Sequence, residues 1–338
     1  MSRRREAGLH RGVLLGSLAA LSLVAFGAPA ALAGGSTVTA YVLNDGAGTV
    51  TAVDTSSGKV GATIALAKNS QPDAIAITPN GATLYAASAI FDNVTPITTA
   101  TGAVGKPIKV GVYPEAIAIT PDGATAYVVN GLVGSITPIK TATNTAGPAI
   151  AVANATLRGI VMAPSGQTAY VSEYTADDVI PFDTVTNRAG RPISVGGGSG
   201  LDAIAITPNG KTVYVTNYLD GTVIPINTAT STAGKAISVG KYDEPDGIVI
   251  APDGTTAYVS GYGQDTVTPI TLSNGKTGKP IGVGPYARGE AILPNGKTLY
   301  VANFGATTIT PINTTNGKAG TAIKVTNVEG PIAIALKG

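Results

Sequence analysis

Six charged residues recur in this chain at intervals of about 43 residues, each immediately before a short apolar segment such as AIAIT. They are Asp73, Glu115, Arg158, Asp202, Asp246 and Arg288, and Gly330 stands at the seventh position. Carboxylates that converge from several segments can hold Ca²⁺ or Mg²⁺ through their oxygens. Carboxylates interleaved with guanidiniums can instead neutralise one another as ion pairs. The two arginines favour ion pairing, and a metal site formed by the four carboxylates is the alternative.

Glu290 interrupts a position of the same segments that is otherwise apolar. Its counterparts are Ile75, Ile117, Ile160, Ile204, Ile248 and Ile332. An unpaired carboxylate buried at such a position would cost several kcal/mol, so it must be paired, hydrated or protonated. Arg288, two residues earlier, is the predicted partner, and an incomplete pair would raise the pKa of Glu290. Glu290 is therefore interpreted as one half of a salt bridge, with general acid or base catalysis as the alternative.

The composition excludes several kinds of catalytic site. The chain has no cysteine, and its single histidine, His10, lies in a predicted signal peptide. The remaining chain therefore has no histidine base, no Ser-His-Asp or Cys-His machinery, and no His or Cys metal ligand. Any catalysis must use carboxylates, Lys, Arg, Tyr or hydroxyl groups.

Residues 1–33 have the features of a secretory signal peptide. Four arginines precede an apolar run from Val13 to Phe26, and Ala31-Leu32-Ala33 supplies a small-residue cleavage site. Cleavage would leave residues 34–338 with 18 basic and 19 acidic residues, because four arginines and Glu6 are removed. A net charge near −1 gives no general attraction to nucleic acid. We expect a secreted or cell-surface protein with no transmembrane segment after cleavage.

An eleven-residue motif, TPNGKTVYVTN at 207–217, carries the repeat that must position these residues. Near copies stand at 78–88, 120–130, 163–173, 251–261 and 293–303, and a half-copy, STVTAYVLN, at 36–44. Each unit has four β-type segments separated by Gly, Asn or Asp turns, exemplified by DAIAITP, TVYVTN, GTVIPINT and GKAISVG. We label the four segments strands A, B, C and D. Four strands per repeat of this length predict an all-β protein, a β-propeller of antiparallel blades.

The two ends of the chain complete each other in this scheme. The repeats begin at strand B (TVTAYVLN) and end with a lone strand A, PIAIAL at 331–336. Strand A then occurs seven times, so strands B, C and D from the N-terminal end and strand A from the C-terminal end form one shared blade. We predict a single domain, residues 34–338, with seven blades. Strand A is innermost, so the charged residues before it should surround the mouth of the central channel.

The repeat resembles the YVTN-repeat β-propeller family, through Tyr-Val-Thr-Asn at 214–217 and variants such as Tyr-Val-Val-Asn at 127–130. The resemblance covers essentially residues 36–336. It implies an exported or surface-associated seven-bladed ring and says little about activity, because related propellers range from binding scaffolds to lactonases. One departure is a proline in strand C of six copies: Pro96, Pro138, Pro181, Pro225, Pro269 and Pro311. This proline indicates either a bulge or a loosely paired strand D, since it cannot donate to a β-ladder.

The two faces of the predicted ring differ in composition. Loops D–A and B–C collect most of the acidic residues and every tyrosine outside strand B: Tyr113, Tyr174, Tyr218, Tyr242, Tyr262 and Tyr286. Loops A–B and C–D carry most of the lysines, which either keep the protein soluble or dock it to anionic wall polymers. Tyrosine with carboxylates suits sugars, cationic groups or divalent ions. The acidic, tyrosine-rich face is therefore the predicted binding face.

Two functions follow from these observations. The first is an exported, monomeric, non-catalytic scaffold that binds an extracellular or cell-surface protein, peptide or glycan. Its predicted binding residues are Asp73, Glu115, Arg158, Asp202, Asp246, Arg288, Glu290, Tyr174, Tyr218 and Tyr262. The alternative is a lactonase-like hydrolase that holds Ca²⁺ or Mg²⁺ at the channel mouth through Asp73, Glu115, Asp202 and Asp246. Nucleic-acid binding is disfavoured because the aromatic residues lie with the acids.

Overall fold

The computed structural model describes residues 38–337 except 197, 241, 242, 328 and 329. The predicted signal peptide at 1–33, the start of the predicted domain at 34–37, and Tyr242 lie outside the described residues. Within the described residues the chain forms antiparallel strands and one 3-10 turn, Gly131–Val133. That part of the chain has no helix long and apolar enough to cross a membrane.

The strands form seven sheets, which confirms the predicted all-β, seven-bladed propeller. In blades 1 to 7, strand A is Pro331–Lys337, Pro72–Ile77, Pro114–Ile119, Leu157–Met162, Leu201–Ile206, Pro245–Ile250 and Ala287–Ile292. Strand B is Thr39–Asn44, Thr83–Ser88, Thr125–Asn130, Thr168–Glu173, Thr212–Asn217, Thr256–Gly261 and Thr298–Asn303. Strand C is Thr49–Asp54, Asn93–Thr98, Ser135–Lys140, Asp178–Asp183, Thr222–Asn227, Thr266–Thr271 and Thr308–Asn313. Each strand A contacts strand A of the next blade, and blade 7 contacts blade 1, so the ring is closed.

Strand D is continuous in blade 1, as Val60–Ala65, and divided into two short pieces in the other six blades. The pieces in blades 2 to 7 are Ala103–Val104 and Ile108–Lys109, Thr145–Ala146 and Ile150–Ala151, Arg188–Ala189 and Ile193–Ser194, Thr232–Ala233 and Ile237–Ser238, Lys276–Thr277 and Ile281–Gly282, and Lys318–Ala319 and Ile323–Lys324.

The strand C prolines explain the divided strand D. The carbonyl of Pro96 accepts a hydrogen bond from Gly105 N at 2.8 Å, so the nitrogen of this residue also faces strand D. The missing N–H therefore leaves the pairing of strands B and C intact and interrupts the outer edge alone. Blade 1 carries Ala52 at this position, and its strand D is one continuous strand with a register shift opposite Ala52. The sequence left a bulge or loose pairing open, and the structure shows an interrupted outer strand.

The repeated tyrosine and asparagine of strand B tie the blades together. Tyr85 Oη donates to Asn144 Oδ1 at 2.6 Å in the loop of the next blade, and Tyr300 Oη of blade 7 donates to Thr55 O of blade 1 at 3.0 Å. Asn130 Nδ2 donates to Thr137 Oγ1 at 2.9 Å within its own blade. Strands A and B are almost wholly buried, and apolar clusters fill the space between neighbouring blades. The repeat is thus a structural motif.

The shared blade is confirmed, but its register corrects one prediction. Strand A of this blade pairs with strand B so that Pro331 faces Asn44 and Ala333 faces Leu43. Ile332 is the bulged residue, which makes it the counterpart of the six charged residues in place of Gly330. The counterpart of Glu290 in this blade is accordingly Ile334. Both sequence assignments were two residues out because the apolar run PIAIAL contains several equivalent alternations.

Candidate functional site

A β-bulge at the start of strand A turns each charged residue away from the regular ladder. In blade 3, Pro114 faces Asn130 and Ala116 faces Val129, so Glu115 has no partner across the sheet. The other blades show the same irregularity. Bulges re-aim side chains at the rims of closed β-structures. Here they direct side chains from six blades toward the centre of the ring.

These side chains form one buried central cluster. We define the charged cluster as Asp73, Glu115, Arg158, Asp202, Asp246 and Arg288. The side chain of Arg158 is 11% exposed, and the others are at most 6% exposed. Residues of opposite blades influence one another electrostatically, as Arg288 does with Glu115. The six charged residues thus converge at the centre of the ring, and they are buried where an open channel mouth would expose them.

Two ion pairs account for both arginines of the cluster. Nη1 of Arg158 donates to both carboxylate oxygens of Glu115 at 2.9 Å. Nε of Arg288 lies 3.4 Å from Oδ2 of Asp246. Burial raises the pKa of Glu115 to about 7 against the opposing charge of Arg158. Burial likewise raises the pKa of Asp246 to about 6, opposed by Arg288.

Asp202 is the least compensated member of the cluster. Its side chain is fully buried, and neither carboxylate oxygen accepts a hydrogen bond from the described residues. Burial, followed by the charge of Asp246, holds its pKa well above the ordinary range. Asp73 differs, because Ala89 N donates to its Oδ2 at 3.1 Å. The cluster therefore contains carboxyl groups that retain protons above the pH at which exposed carboxyls lose them.

Glu290 does not form the predicted pair with Arg288, which instead pairs with Asp246. Ser260 Oγ of blade 6 donates to Oε2 of Glu290 at 2.8 Å, and Oε1 has no hydrogen-bond partner among the described residues. The bulge between Ala287 and Glu290 breaks the strand alternation, so residues two apart no longer share a side. Burial and the charge of Asp246 hold the pKa of Glu290 well above its usual range.

A glycine in the neighbouring blade makes room for Glu290. A Cβ at Gly247 would overlap Oε2 of Glu290 and lie 2.5 Å from Ser260 Oγ. Blades 1, 2, 3 and 5 carry alanine at this position of strand A. Gly247 and Ser260 were not among the predicted site residues. Glycine also stands at this position in blades 4 and 7, as Gly159 and Gly289, so the exchange of Ala for Gly alone did not identify Gly247.

The three predicted tyrosines lie against charged partners on the same face as the cluster. The guanidinium of Arg158 lies 4.9 Å from the ring centre of Tyr174, and that of Arg288 lies 5.2 Å from the ring centre of Tyr262. Tyr218 Oη donates to Glu244 Oε2 at 2.9 Å. The two arginines of the cluster therefore contact two of the aromatic rings through their guanidinium groups.

Two aromatic residues that the predicted site omitted extend this arrangement. The ring of Phe304 lies 4.4 Å from the guanidinium of Arg288. Tyr286 stacks on Tyr262 with ring centres 4.7 Å apart and 18° between the planes, and it is 48% exposed. Phe304, Arg288, Tyr262 and Tyr286 thus form a chain of contacts that ends in an exposed ring. Both aromatic residues fall in loops of the predicted binding face, which was the available signal.

The described residues contain no group of three or more His, Cys, Asp or Glu side chains arranged to hold a metal ion. Two of the four carboxylates proposed as metal ligands, Glu115 and Asp246, are instead paired with arginines. A divalent cation at this position would therefore compete with the two arginines for Glu115 and Asp246.

Comparison with known proteins shows the fold and no more. No protein-family model and no curated protein matches the chain. Among solved structures, hydrazine synthase from Kuenenia stuttgartiensis is 24% identical, with a TM-score of 0.75 over 82% of this chain and 92% of that one. A protein of unknown function from Desulfotomaculum acetoxidans is 19% identical, with a TM-score of 0.76 over 88% and 98%. The periplasmic gluconolactonase of Pseudomonas aeruginosa is 17% identical, with a TM-score of 0.72 over 90% and 99%. Identities this low establish that the chain is a seven-bladed β-propeller, a fold shared by proteins of unrelated activity.

Proposed function

We propose that this protein is an exported, non-catalytic propeller that binds a glycan on the tyrosine surface, which we define as Tyr174, Tyr218, Glu244, Tyr262 and Tyr286. The proposal includes cleavage of residues 1–33, a secreted or cell-surface location and membership of the YVTN-repeat propellers. The observation that carries it is the exposed, pre-positioned ring of Tyr286.

Tyr286 is fixed by contacts on several sides. One face stacks on Tyr262, an edge of the ring lies against Gly305, and its backbone N donates to Asp265 Oδ1 at 2.7 Å. Tyr262 is in turn held by Arg288. A ring that is already ordered loses little conformational freedom when a ligand binds. Sugars present a flat C–H face suited to an aromatic ring, and their hydroxyls can donate to nearby carboxylates such as Glu244.

The burial of the carboxylates favours binding over hydrolysis. Asp73, Asp202, Asp246 and Glu290 are at most 2% exposed, so a substrate could not reach them unless the cluster opened. A general acid or base must lie within hydrogen-bond reach of the proton that it transfers. The side chains of this face that contact solvent include the aromatic ring of Tyr286 and the partly exposed carboxylate of Glu244, which can contact a ligand directly.

A glycan array tests the proposal directly. Purified protein, Tyr286→Ala and Tyr262→Ala are compared, with Val185→Ala, an exposed residue of loop C–D on the opposite face, as the matched control. We expect a defined set of glycans to be bound, with about tenfold weaker binding (~1.4 kcal/mol) by the two tyrosine variants. Equal binding by all four proteins, or no binding above background, would contradict the proposal.

The hydrolase alternative has its own test. Thermal unfolding is followed in chelator and then with Ca²⁺, Mg²⁺ or Mn²⁺, and gluconolactone hydrolysis is assayed under the same conditions. A cation at one hundred times its dissociation constant would stabilise the fold by about 2.7 kcal/mol. Stabilisation that disappears in Asp202→Asn, together with lactone hydrolysis, would replace the binding function with the enzymatic one.

A further inference from the structure

A cluster of exposed apolar side chains lies on the same face as the tyrosine surface but over blades 2 and 3. We define the apolar surface as Ile90, Phe91, Val112, Leu132 and Val133, which are between 42% and 59% exposed. We propose that this surface docks a protein segment that presents aliphatic or aromatic side chains flanked by Lys or Arg. The inference does not depend on glycan binding, since the apolar surface shares no residue with the tyrosine surface.

Backbone hydrogen bonds make the three loops of this surface continuous. Val112 lies in loop D–A between the two B–C loops that carry the other four residues. The neighbouring Tyr113 makes a hydrogen bond to each B–C loop: its N donates to the side-chain Oδ1 of Asp92 at 2.9 Å, and its carbonyl accepts from Gly131 N at 2.8 Å. Val110 N also donates to Asp92 O at 3.0 Å. The apolar side chains therefore project from one connected platform.

The platform is held in a fixed conformation at some energetic cost. Asp92 and Tyr113 have φ angles of 51° and 60°, which non-glycine residues rarely adopt. Leu132 and Val133 belong to the 3-10 turn Gly131–Val133, which ends at Gly134 with φ of 58°. Gly134 O then accepts from Val152 N at 2.9 Å. A surface whose loops are already ordered binds a partner without the cost of ordering them.

The fold itself does not require apolar side chains at these tips. The corresponding loop of blade 6 reads Gly263-Gln264-Asp265, and that of blade 4 reads Thr175-Ala176-Asp177. Both loops connect strands B and C of the same lengths as in blades 2 and 3. Contiguous exposed apolar side chains on a soluble ring mark interaction sites, whereas single ones are common. Five on three connected loops therefore indicate a partner.

Charge identifies the class of partner. Segments 89–93, 110–115 and 130–135 contain no basic residue, and Asp92 is their acidic residue outside the buried cluster. The nearest lysine in sequence is Lys109, which pairs with Asn93 from the outer strand. Loops D–A and B–C, which form this face, also carry most of the acidic residues of the chain. A negative field attracts Lys and Arg and repels anionic lipid headgroups. These charges favour a basic protein segment over a membrane.

A peptide-display experiment tests the docking site. Random peptides displayed on phage are selected on the purified protein and counter-selected on the triple variant Ile90→Ser, Leu132→Ser, Val133→Ser. We expect the retained peptides to combine apolar residues with Lys or Arg. Synthetic versions should bind the triple variant at least tenfold more weakly and Val185→Ser unchanged, and their affinity should fall with added salt. Glycan binding by the triple variant should equal that of the parent protein.

Other outcomes overturn the docking proposal. Selected peptides that bind parent and triple variant equally would show that the apolar surface is not their site. Pelleting with vesicles of neutral or anionic phospholipid that the triple variant loses would make the surface a membrane contact. A dimer in sedimentation equilibrium that the triple variant dissociates would make it a contact between two copies of this chain.

Discussion

The apolar surface of blades 2 and 3 and the tyrosine surface of blades 4 to 7 lie on equivalent loops of different blades. They differ in the side chains that these loops expose. On the apolar side, exposed aliphatic residues stand on loops fixed by backbone hydrogen bonds. On the tyrosine side, aromatic rings are fixed by buried arginines, as Tyr174 is by Arg158. Substitutions of the exposed side chains on the apolar side should therefore leave the core unchanged. The positions of the rings on the tyrosine side depend on charged residues buried inside the ring of blades.

The largest effect is expected where the two sides meet, at the pair of Arg158 in blade 4 and Glu115 in blade 3. Arg158→Met leaves Glu115 buried without its partner, and removing one member of a buried pair costs ~3–5 kcal/mol. We expect a loss of about 3 kcal/mol in the free energy of unfolding, measured by chemical denaturation. Lys106→Met, at an exposed lysine, is the control and should change little. Equal stability of the two variants would show that the tyrosine side does not depend on this charge.

A slightly smaller effect is expected from Gly247→Ala on the tyrosine side. The added methyl group would overlap Glu290 and crowd Ser260, and such overpacking costs ~1–3 kcal/mol. The double variant Gly247→Ala, Glu290→Ile restores the residue types of blade 2 and should recover most of the lost stability. Ala116→Gly, the reverse exchange at the equivalent position on the apolar side, should lower the free energy of unfolding by about 1 kcal/mol, and this loss should not depend on Glu290. A double variant no more stable than Gly247→Ala would contradict the assigned contact.

The pH dependence of stability should come mainly from the charged cluster. The pKa of Glu115 rises from 4.5 to about 7, and that of Asp246 from 3.8 to about 6, because both are buried. Between these limits the unfolded chain releases protons that the folded chain keeps, so stability falls as pH rises from about 4 to 7. Each unit of pKa shift corresponds to ~1.4 kcal/mol, and a combined loss of a few kcal/mol is expected. Thermal unfolding across this range should show a smaller slope in Glu115→Gln, Asp246→Asn, and an unchanged slope would assign the effect to other groups.

The smallest effect on stability is expected from the apolar surface. Ile90, Leu132 and Val133 are about half exposed, so their replacement by serine removes little buried area. The triple serine variant should change the free energy of unfolding by less than about 1 kcal/mol in chemical denaturation. A much larger loss would mean that these side chains serve the fold, and it would remove the distinction between the two sides.

The fold could be predicted from the sequence because each repeat carries the same structural residues at the same positions. The turn residues and the strand B tyrosine have the same role in every blade. The repeat length, the four β-type segments per unit and the complementary ends together indicated a closed ring of seven. The repeat also placed the charged residues at one level of that ring. What it missed depends on bulges, which break the simple alternation of strand side chains. Glu290 therefore faces Ser260, and Ile332 takes the place assigned to Gly330.

The partners within the charged cluster could not be read from the sequence for a related reason. Side chains from different blades meet at the centre, so sequence separation says nothing about which arginine reaches which carboxylate. Asp202 and Asp246 occupy equivalent repeat positions, yet Asp246 lies beside Arg288 and Asp202 accepts no hydrogen bond from the described residues. The difference arises from side-chain directions in three dimensions, which the repeat pattern does not encode.

The shared blade also determines when the ring can close during folding. Strand A of blade 1, Pro331–Lys337, pairs with Thr39–Asn44, the first strand that the structure describes. Until residues 331–337 have been synthesised, Thr39–Asn44 has no partner strand on its inner side and blade 1 lacks its strand A. The ring is thus completed only once this strand A is available to blade 1. A chain truncated before Pro331 would lack strand A of blade 1, and with it the contacts that this strand makes with blades 2 and 7.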